Sequence, residues 1–438
     1  MIMPKKPFRF IWAVVFMATL AVSCGKDDDD GAQGPQNPQN PQEPGGKPTN
    51  ICTVTFVGEN ESTTQAVLCG GVAKEPKKPP EKLEPGLYLG APSEYRFDGW
   101  FADGATAPFD FDTPIGADIS LRARWTRLSS STLVAEVAAN NVVAAIAYVN
   151  ANPEDYTLVL DADVEINNTQ TLDVPNVKLT MVGARQERNI TYSTNQSASQ
   201  LFYIDASGTT LTLGKNITLQ PKGMAFTTAV KVANNDSHLV MLDGSKITGF
   251  SYTAVQLGVN SGSGSHSSFR MKGGEITGNK TFENRLHGVG GLSVEGGTTF
   301  HMSGGSVSGN FSAYRSSSSS PDTPADVYIN SSGAEAKITL SDNAVIGNLL
   351  LSLYFEQGQQ PRSGLTIGNT YSGEVSKLHL LGGATTWKNL PVIQAETGTL
   401  TANDIAKFGL GEFRTESGNP QPISNTHKIN ESGILVEK

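Results

Sequence analysis

The 438-residue chain has little charge, few aromatics and few cysteines: 17% Asp, Glu, Lys and Arg, 8% Phe, Trp and Tyr, and three Cys. Nothing concentrates Lys and Arg, and the net charge is −9. No basic surface is available to neutralise phosphates, which excludes nucleic acid as the natural partner. After residue 23 no apolar run approaches the roughly 20 residues that a membrane span needs. The six His show no metal-ligand spacing. The Ser- and Gly-rich runs at 261–268 and 316–324 read as loops, not nucleophile elbows. No metal and no cofactor is expected. What the chain does have is 46 Gly and many small polar residues, a profile suited to an all-β, turn-rich protein.

The N-terminus is a targeting segment. Lys5, Lys6 and Arg9 precede the apolar stretch FIWAVVFMATLAV, which has the length of a signal peptide. It ends at Ala21-Val22-Ser23-Cys24, which resembles a bacterial lipobox, with Leu20 one place earlier than usual. The resemblance implies cleavage after residue 23 and acylation of Cys24; the alternative is an ordinary cleaved signal. Lys26 and Asp27, Asp28, Asp29 and Asp30 follow at once. This run resembles the export signal of surface-exposed lipoproteins of the Bacteroidetes, with a solvated acidic spacer as the alternative. Cleavage removes three positive charges and no negative ones, taking the net charge from −9 to −12. The expectation is an outer-membrane protein, exposed at the cell surface and held to the membrane by lipid without spanning it. Residues 24–50 carry Pro at every third position from Pro35 to Pro44. They form an extended stalk, up to about 80 Å long at about 3.1 Å per residue.

Residues 51–126 form a small module. CTVTFVGENESTTQAVLC reads as a hairpin, with Cys52 and Cys69 placed almost symmetrically about the Gly58–Ser62 turn. A simple register would set them opposite one another, within disulfide range; an oxidising envelope favours the bond over two free thiols. The VTF opening, the proline-rich middle AKEPKKPPEK, the F-x-GW step, FDFDTPI and the closing L-x-A-x-W resemble the internalin-type B-repeat, or Listeria–Bacteroides repeat. That resemblance implies a β-grasp-like module acting as a surface spacer or protein contact, with Asp110 and Asp112 structural.

After a Ser-rich joint, the apolar positions Val134, Ala138, Val142, Ala145 and Val149 predict a helix over 132–151, capped by Ser130 or Ser131 and stopped by Asn152-Pro153. Residues 127–152 thus make a joint and capping helix. Beyond them a motif recurs: TLTLGKNITL, HLVMLDGSKITG, RMKGGEITGN, HMSGGSVSGN, KITLSDNAVIGN and KLHLLGG. Its anchors Leu213, Met241, Met271, Met302 and Leu340 are 28, 30, 31 and 38 residues apart, which suits solenoid coils with loops of varying length. Strand alternation sends Phe269, Met271, Phe300 and Met302 inward and Arg270, Lys272, His301 and Ser303 outward. The Gly pairs at 273–274 and 304–305 make one corner. Gly278-Asn279, Gly309-Asn310 and Asn348 make the next, where Asn tolerates a left-handed backbone and can bond to its equivalent one coil away.

The run GVGGLSVEGGTTFHMSGGSVSGN (288–310) resembles the right-handed parallel β-helix of the pectate lyase-like superfamily. The expected fold is therefore all-β: a small β-grasp-like module, an N-terminal capping helix and a right-handed parallel β-helix over 153–400. Residues 401–438 close it, with Phe408, Phe413 and Ile434 covering the last coil. A β-sandwich array is the alternative. The superfamily includes polysaccharide lyases and hydrolases, whose coils need converging carboxylates. Here Asp205, Asp236, Asp243, Asp322, Asp326 and Asp342 are scattered, and Asp161 and Asp163 lie beside the cap. No catalytic residue is assigned. The best outward patch is Arg270, Lys272, Glu275 and His301, a possible ligand-binding face. The expected function is a monomeric, non-enzymatic surface protein for adhesion or ligand binding, with a host protein or glycan as partner. The alternative is a carbohydrate-active β-helix.

Overall fold

The computed structural model describes residues 50–438 except 59–61, 77–81, 198, 224–225, 234–235, 259–265, 283–287, 314–322, 332–333, 354–360, 362 and 416–419. Residues 1–49, with the signal, Cys24, Lys26, Asp27–Asp30 and the stalk, lie outside the described residues. The protein is all-β, with a β-solenoid of about seven turns.

The small module is a four-stranded sheet made of β1 (Ile51–Val57), β2 (Ser62–Leu68), β4 (Tyr95–Ala102) and β5 (Ile119–Arg127), in the order β2-β1-β5-β4. β3 (Gly86–Leu89) lies elsewhere. β1 and β5 run parallel at the centre, the mixed order of a β-grasp. Cys52, Val54, Phe56, Trp100 and Leu121 fill the core, and the Trp100 ring meets Phe56 edge-on at 5.1 Å. Cys52 and Cys69 are disulfide-bonded with Cα atoms 5.1 Å apart. They are not directly opposite: Cys52 faces Val67. The hairpin turns one residue earlier than its sequence symmetry suggests, so the bridge spans a diagonal between residues on one face.

β3 leaves this module and pairs antiparallel with β6 (Thr132–Leu133) and with β7 (Asp155–Leu160), the first strand of the solenoid. It covers the open edge of β7 with Leu87 fully buried. That task was expected of the helix alone. The helix, α1 (Val142–Ala151), starts ten residues later than expected. Asn140 sits at φ 60°, which breaks the helical path, and Asn141, not Ser130 or Ser131, caps the first turn by accepting from Ala144 N–H at 2.9 Å. Val142, Ala145 and Val149 are buried as expected, whereas Ala138 is exposed outside the helix. The helix buries its apolar face in the solenoid core, closing the end of the coil stack.

Each coil contributes to three columns of parallel strands. In the first column Leu213, Met241, Met271, Met302 and Leu340 stand in one row, paired in register from coil to coil. All five are fully buried. Each such side chain contributes about 1.5–3 kcal/mol through burial. Phe269 and Phe300 stack at 5.0 Å, and Ile276 and Val307 return to the core. KLHLLGG is the exception: Lys377–Leu381 pairs in the third column, and the first-column strand of that coil is Leu365–Ile367. At the other end Phe408–Arg414 still pairs parallel with Glu374–Leu381, so the coils continue to Arg414. Phe408 and Phe413 are buried within that last coil. Leu435, fully buried, fills the closing position expected of the half-exposed Ile434.

The Gly pairs earn their place by sterics. Gly274 and Gly305 have φ of 84° and 79°, a conformation that costs L-residues free energy. A Cβ on Gly305 would also lie 2.4 Å from the carbonyl oxygen of Gly274. Gly305→Ala is expected to cost about 2–3 kcal/mol and to lower the thermal midpoint followed by circular dichroism. Gly116→Ala, where a Cβ meets nothing within 4 Å, should stay within about 0.5 kcal/mol.

Candidate functional site

The first column presents Arg270 and His301 side by side on adjacent coils, in register and exposed. His301 Nε2 lies 3.4 Å from Ser341 Oγ one coil further on. Lys272 is exposed further along the same strand, where the register shifts and it pairs with Gly304. Glu275 stands across the corner in the second column, with its carboxylate 3.5 Å from Lys246 Nζ. The four expected residues therefore divide between two faces that meet at the glycine corner.

That corner is hollow. A groove of about 520 Å³ follows it, lined by Glu187, Thr218, Lys246, Glu275, Ser306 and Asn343. These come from six consecutive coils, so the groove extends about 24 Å at roughly 4.8 Å per coil. Thr218 donates to Glu187 at 2.9 Å. Left-handed residues repeat along it at Asn216, Gly244, Gly274 and Gly305, keeping the backbone low. Of the lining, only Glu275 was expected. Lys246 pairs in register with Glu275, yet it stands five residues after Met241 while Glu275 stands four after Met271. The corner is one residue shorter in the second case, and a fixed offset from the anchor hides the alignment.

A second polar array lies inside the solenoid, at the corner between the second and third columns. Asn279, Asn310 and Asp326 are fully buried. The Phe250 N–H donates to Asn279 Oδ1 at 3.0 Å, and Asn279 donates from N–H and Nδ2 to Asn310 Oδ1 at 3.2 and 2.8 Å. Asn310 in turn donates twice to Asp326 Oδ1, at 2.7 and 2.9 Å. From the opposite direction Asn348 donates twice to Asp326 Oδ2, at 2.8 and 3.0 Å. The coil-to-coil Asn bond expected from the sequence is present between Asn279 and Asn310. Between Asn310 and Asn348 a carboxylate intervenes. Nor do these Asn adopt the left-handed backbone; Gly278 and Gly309 do so, at φ 70° and 71°, and the Asn side chains turn inward.

The array continues to His379. Its Nδ1 accepts from the Glu412 N–H at 3.2 Å, and its Nε2 lies 3.3 Å from both Asn348 Oδ1 and Arg414 Nη2. Burial, then the neighbouring Arg414 and Lys377 cations, hold the His379 pKa down to about 3. The two acids beside the cap serve structure: Asp161 accepts from Asn140 at 2.6 Å, and Asp163 accepts from the Asn189 N–H at 2.9 Å. Among the described residues no three His, Cys, Asp or Glu side chains converge as a metal site. No described helix is long and apolar enough to cross a membrane; Asp322 lies outside the described residues.

Comparison with protein-family models, curated proteins and solved structures returned no match. The lipoprotein, B-repeat and pectate lyase-like resemblances rest on their sequence motifs alone.

The depressed His379 pKa sets a pH dependence. The unfolded ring titrates near 6.5 and the folded ring near 3, so below about pH 6.5 the unfolded state binds the extra proton. The stability this ring contributes is fully present above that pH and is lost on acidification toward 3. Between about pH 6.5 and 5 the protein should lose about 1.5 kcal/mol. His379→Gln should remove that slope in urea unfolding measured across this window, whatever its own baseline stability.

Proposed function

We propose that this chain is a lipid-anchored cell-surface protein whose solenoid binds an extended ligand, a host glycan or protein, without transforming it. The observation that carries the reading is the six-coil groove, where Thr218, Lys246, Glu275 and Asn343 present polar groups at the repeat of the coils. An elongated chain laid along the axis would meet one such group per coil. Arg270 and His301 extend the contact onto the adjoining flat sheet. The most concentrated set of buried polar groups, around Asp326, is fully engaged between coils, so its chemistry serves the fold. The signal, Cys24 and the acidic run after it supply the anchor and export, and the proline-rich segment supplies distance from the membrane.

The test uses the full chain on intact cells, probed with an array of glycans and matrix proteins. The chain should confer binding, Cys24→Ser should release that binding from the cells, and the pair Lys246→Ala with Glu275→Gln should weaken it about tenfold. Time-dependent shortening of a bound polysaccharide, with unsaturated products absorbing in the ultraviolet, would establish the carbohydrate-active alternative instead.

A further inference from the structure

From residue 153 to the C-terminus, the exposed large hydrophobic side chains among the described residues are three phenylalanines: Phe226, Phe282 and Phe311, at 44%, 48% and 39% exposure. All three stand just past the corner between the second and third columns. They follow Gly223, Gly278 and Gly309, each left-handed at φ 90°, 70° and 71°. A solenoid surface made otherwise of small polar and charged residues has no folding reason to expose its aromatic rings at a single corner. Clustered exposed apolar side chains of this kind mark binding sites.

Phe226 and Phe282 come from coils that flank a third, and their rings meet at 5.5 Å with planes 73° apart. Beneath them the middle coil contributes Gly249, the buried Phe250 and Ser251. The result is a cavity of about 420 Å³ with aromatic walls and a floor of glycine backbone. A Cβ at Gly249, which sits at φ 79°, would press on the Pro221 ring at 3.3 Å. Lys280 Nζ lies at one side, 5.1 Å from the centre of the Phe282 ring. Phe311 continues the strip, in register with Lys280 on the next coil.

We propose that this cavity binds a pyranose ring of a glycan chain, with Phe282 stacking on a C–H face, Phe226 meeting its edge and Phe311 receiving the neighbouring sugar. The size falls within the range of small-ligand pockets. The electron-rich ring faces attract polarised C–H groups, while peptide groups, the Ser251 hydroxyl and the Lys280 ammonium surround the edge, where a sugar carries its hydroxyls. A protein anchor fits less well. Its hot spot would need a continuous apolar patch, and here Phe311 has the charged Lys280 as its in-register neighbour. A β-strand partner would need an open sheet edge, whereas strands on both sides of this corner are paired along the coil stack. The proposal rests on the ligand-binding reading above and adds the glycan class and a second contact line.

The test is affinity electrophoresis of the full chain through gels containing pectin, xylan or hyaluronan. At least one polymer should retard the wild type. Phe282→Ala should raise the apparent Kd about tenfold or more, and Phe282→Trp should retain binding. Both variants should keep the wild-type thermal midpoint, because the ring is half exposed. The groove pair Lys246→Ala with Glu275→Gln separates the two sites. If that pair abolishes retardation and Phe282→Ala does not, the groove reading stands and the pocket is wrong. If Phe282→Ala abolishes it and the pair does not, the pocket stands and the groove reading fails. Absence of retardation by every polymer, or a Phe282-dependent loss confined to binding of matrix proteins, would overturn the sugar assignment.

Discussion

A chain of hydrogen bonds has a direction, and in this protein two such chains meet head-on at Asp326. From one side the donors run from Phe250 through Asn279 to Asn310. From the other, Asn348 donates, with His379 Nε2 3.3 Å from its Oδ1. An amide can pass the direction on, since it accepts with one atom and donates with the other. It cannot end two chains arriving from opposite sides. Only a group with two acceptor oxygens and no proton can do so, and a carboxylate has that form. A fully buried charge is costly unless it is completely bonded, and four N–H donors close around this one. The placement of Asp326 is thus dictated by the sense of the bonds on either side.

The same constraint accounts for where the coils tolerate insertions. The chain leaves the corner between the second and third columns after Asn310 and returns at Ala325-Asp326, whose Ala325 N–H bonds to the Asn310 carbonyl at 2.9 Å. The excursion starts and ends at the ladder, so Asp326 fills the stacking position below Asn310 that the next coil would otherwise occupy. The repeat is interrupted without a break in the polar stack. In a structure where each coil touches only its neighbours, such stacks fix the register locally, while the outward positions of the same strands stay free to vary. Thr218, Lys246, Glu275 and Ser306 share a row in the groove and have little in common chemically. The inward row opposite them is uniformly apolar.

The inward face was the legible part of the sequence, because the first-column anchors recur with one apolar identity and burial tolerates few substitutes. The helix was legible by its face and not by its start. The apolar period runs on through Val134 and Ala138, and a backbone conformation at Asn140 overrides it. The disulfide partners were recognisable, while their register was hidden by a turn one residue out of symmetry. KLHLLGG carries the right residues in the wrong column, since alternation alone does not say which of three sheets a strand joins. Asp326 looked like one scattered acid among several; only the return of the 311–325 excursion brings it to the ladder. The groove escaped notice because its corner varies by one residue. The aromatic cavity escaped because Phe226, Phe282 and Phe311 stand at different offsets after their glycines.

The claim that the two ladders depend on a shared carboxylate is tested most directly by amide hydrogen exchange on Asp326→Asn. In this variant one acceptor oxygen becomes an amide NH2, a donor facing two N–H donors, a loss of about 3 kcal/mol or more. The account predicts that exchange at Asn279, Asn310 and Asn348 accelerates together on both sides of residue 326, while the distant small module keeps its protection. Unchanged protection at Asn279 and Asn348, with any effect confined to residue 326 and its immediate neighbours, would contradict it.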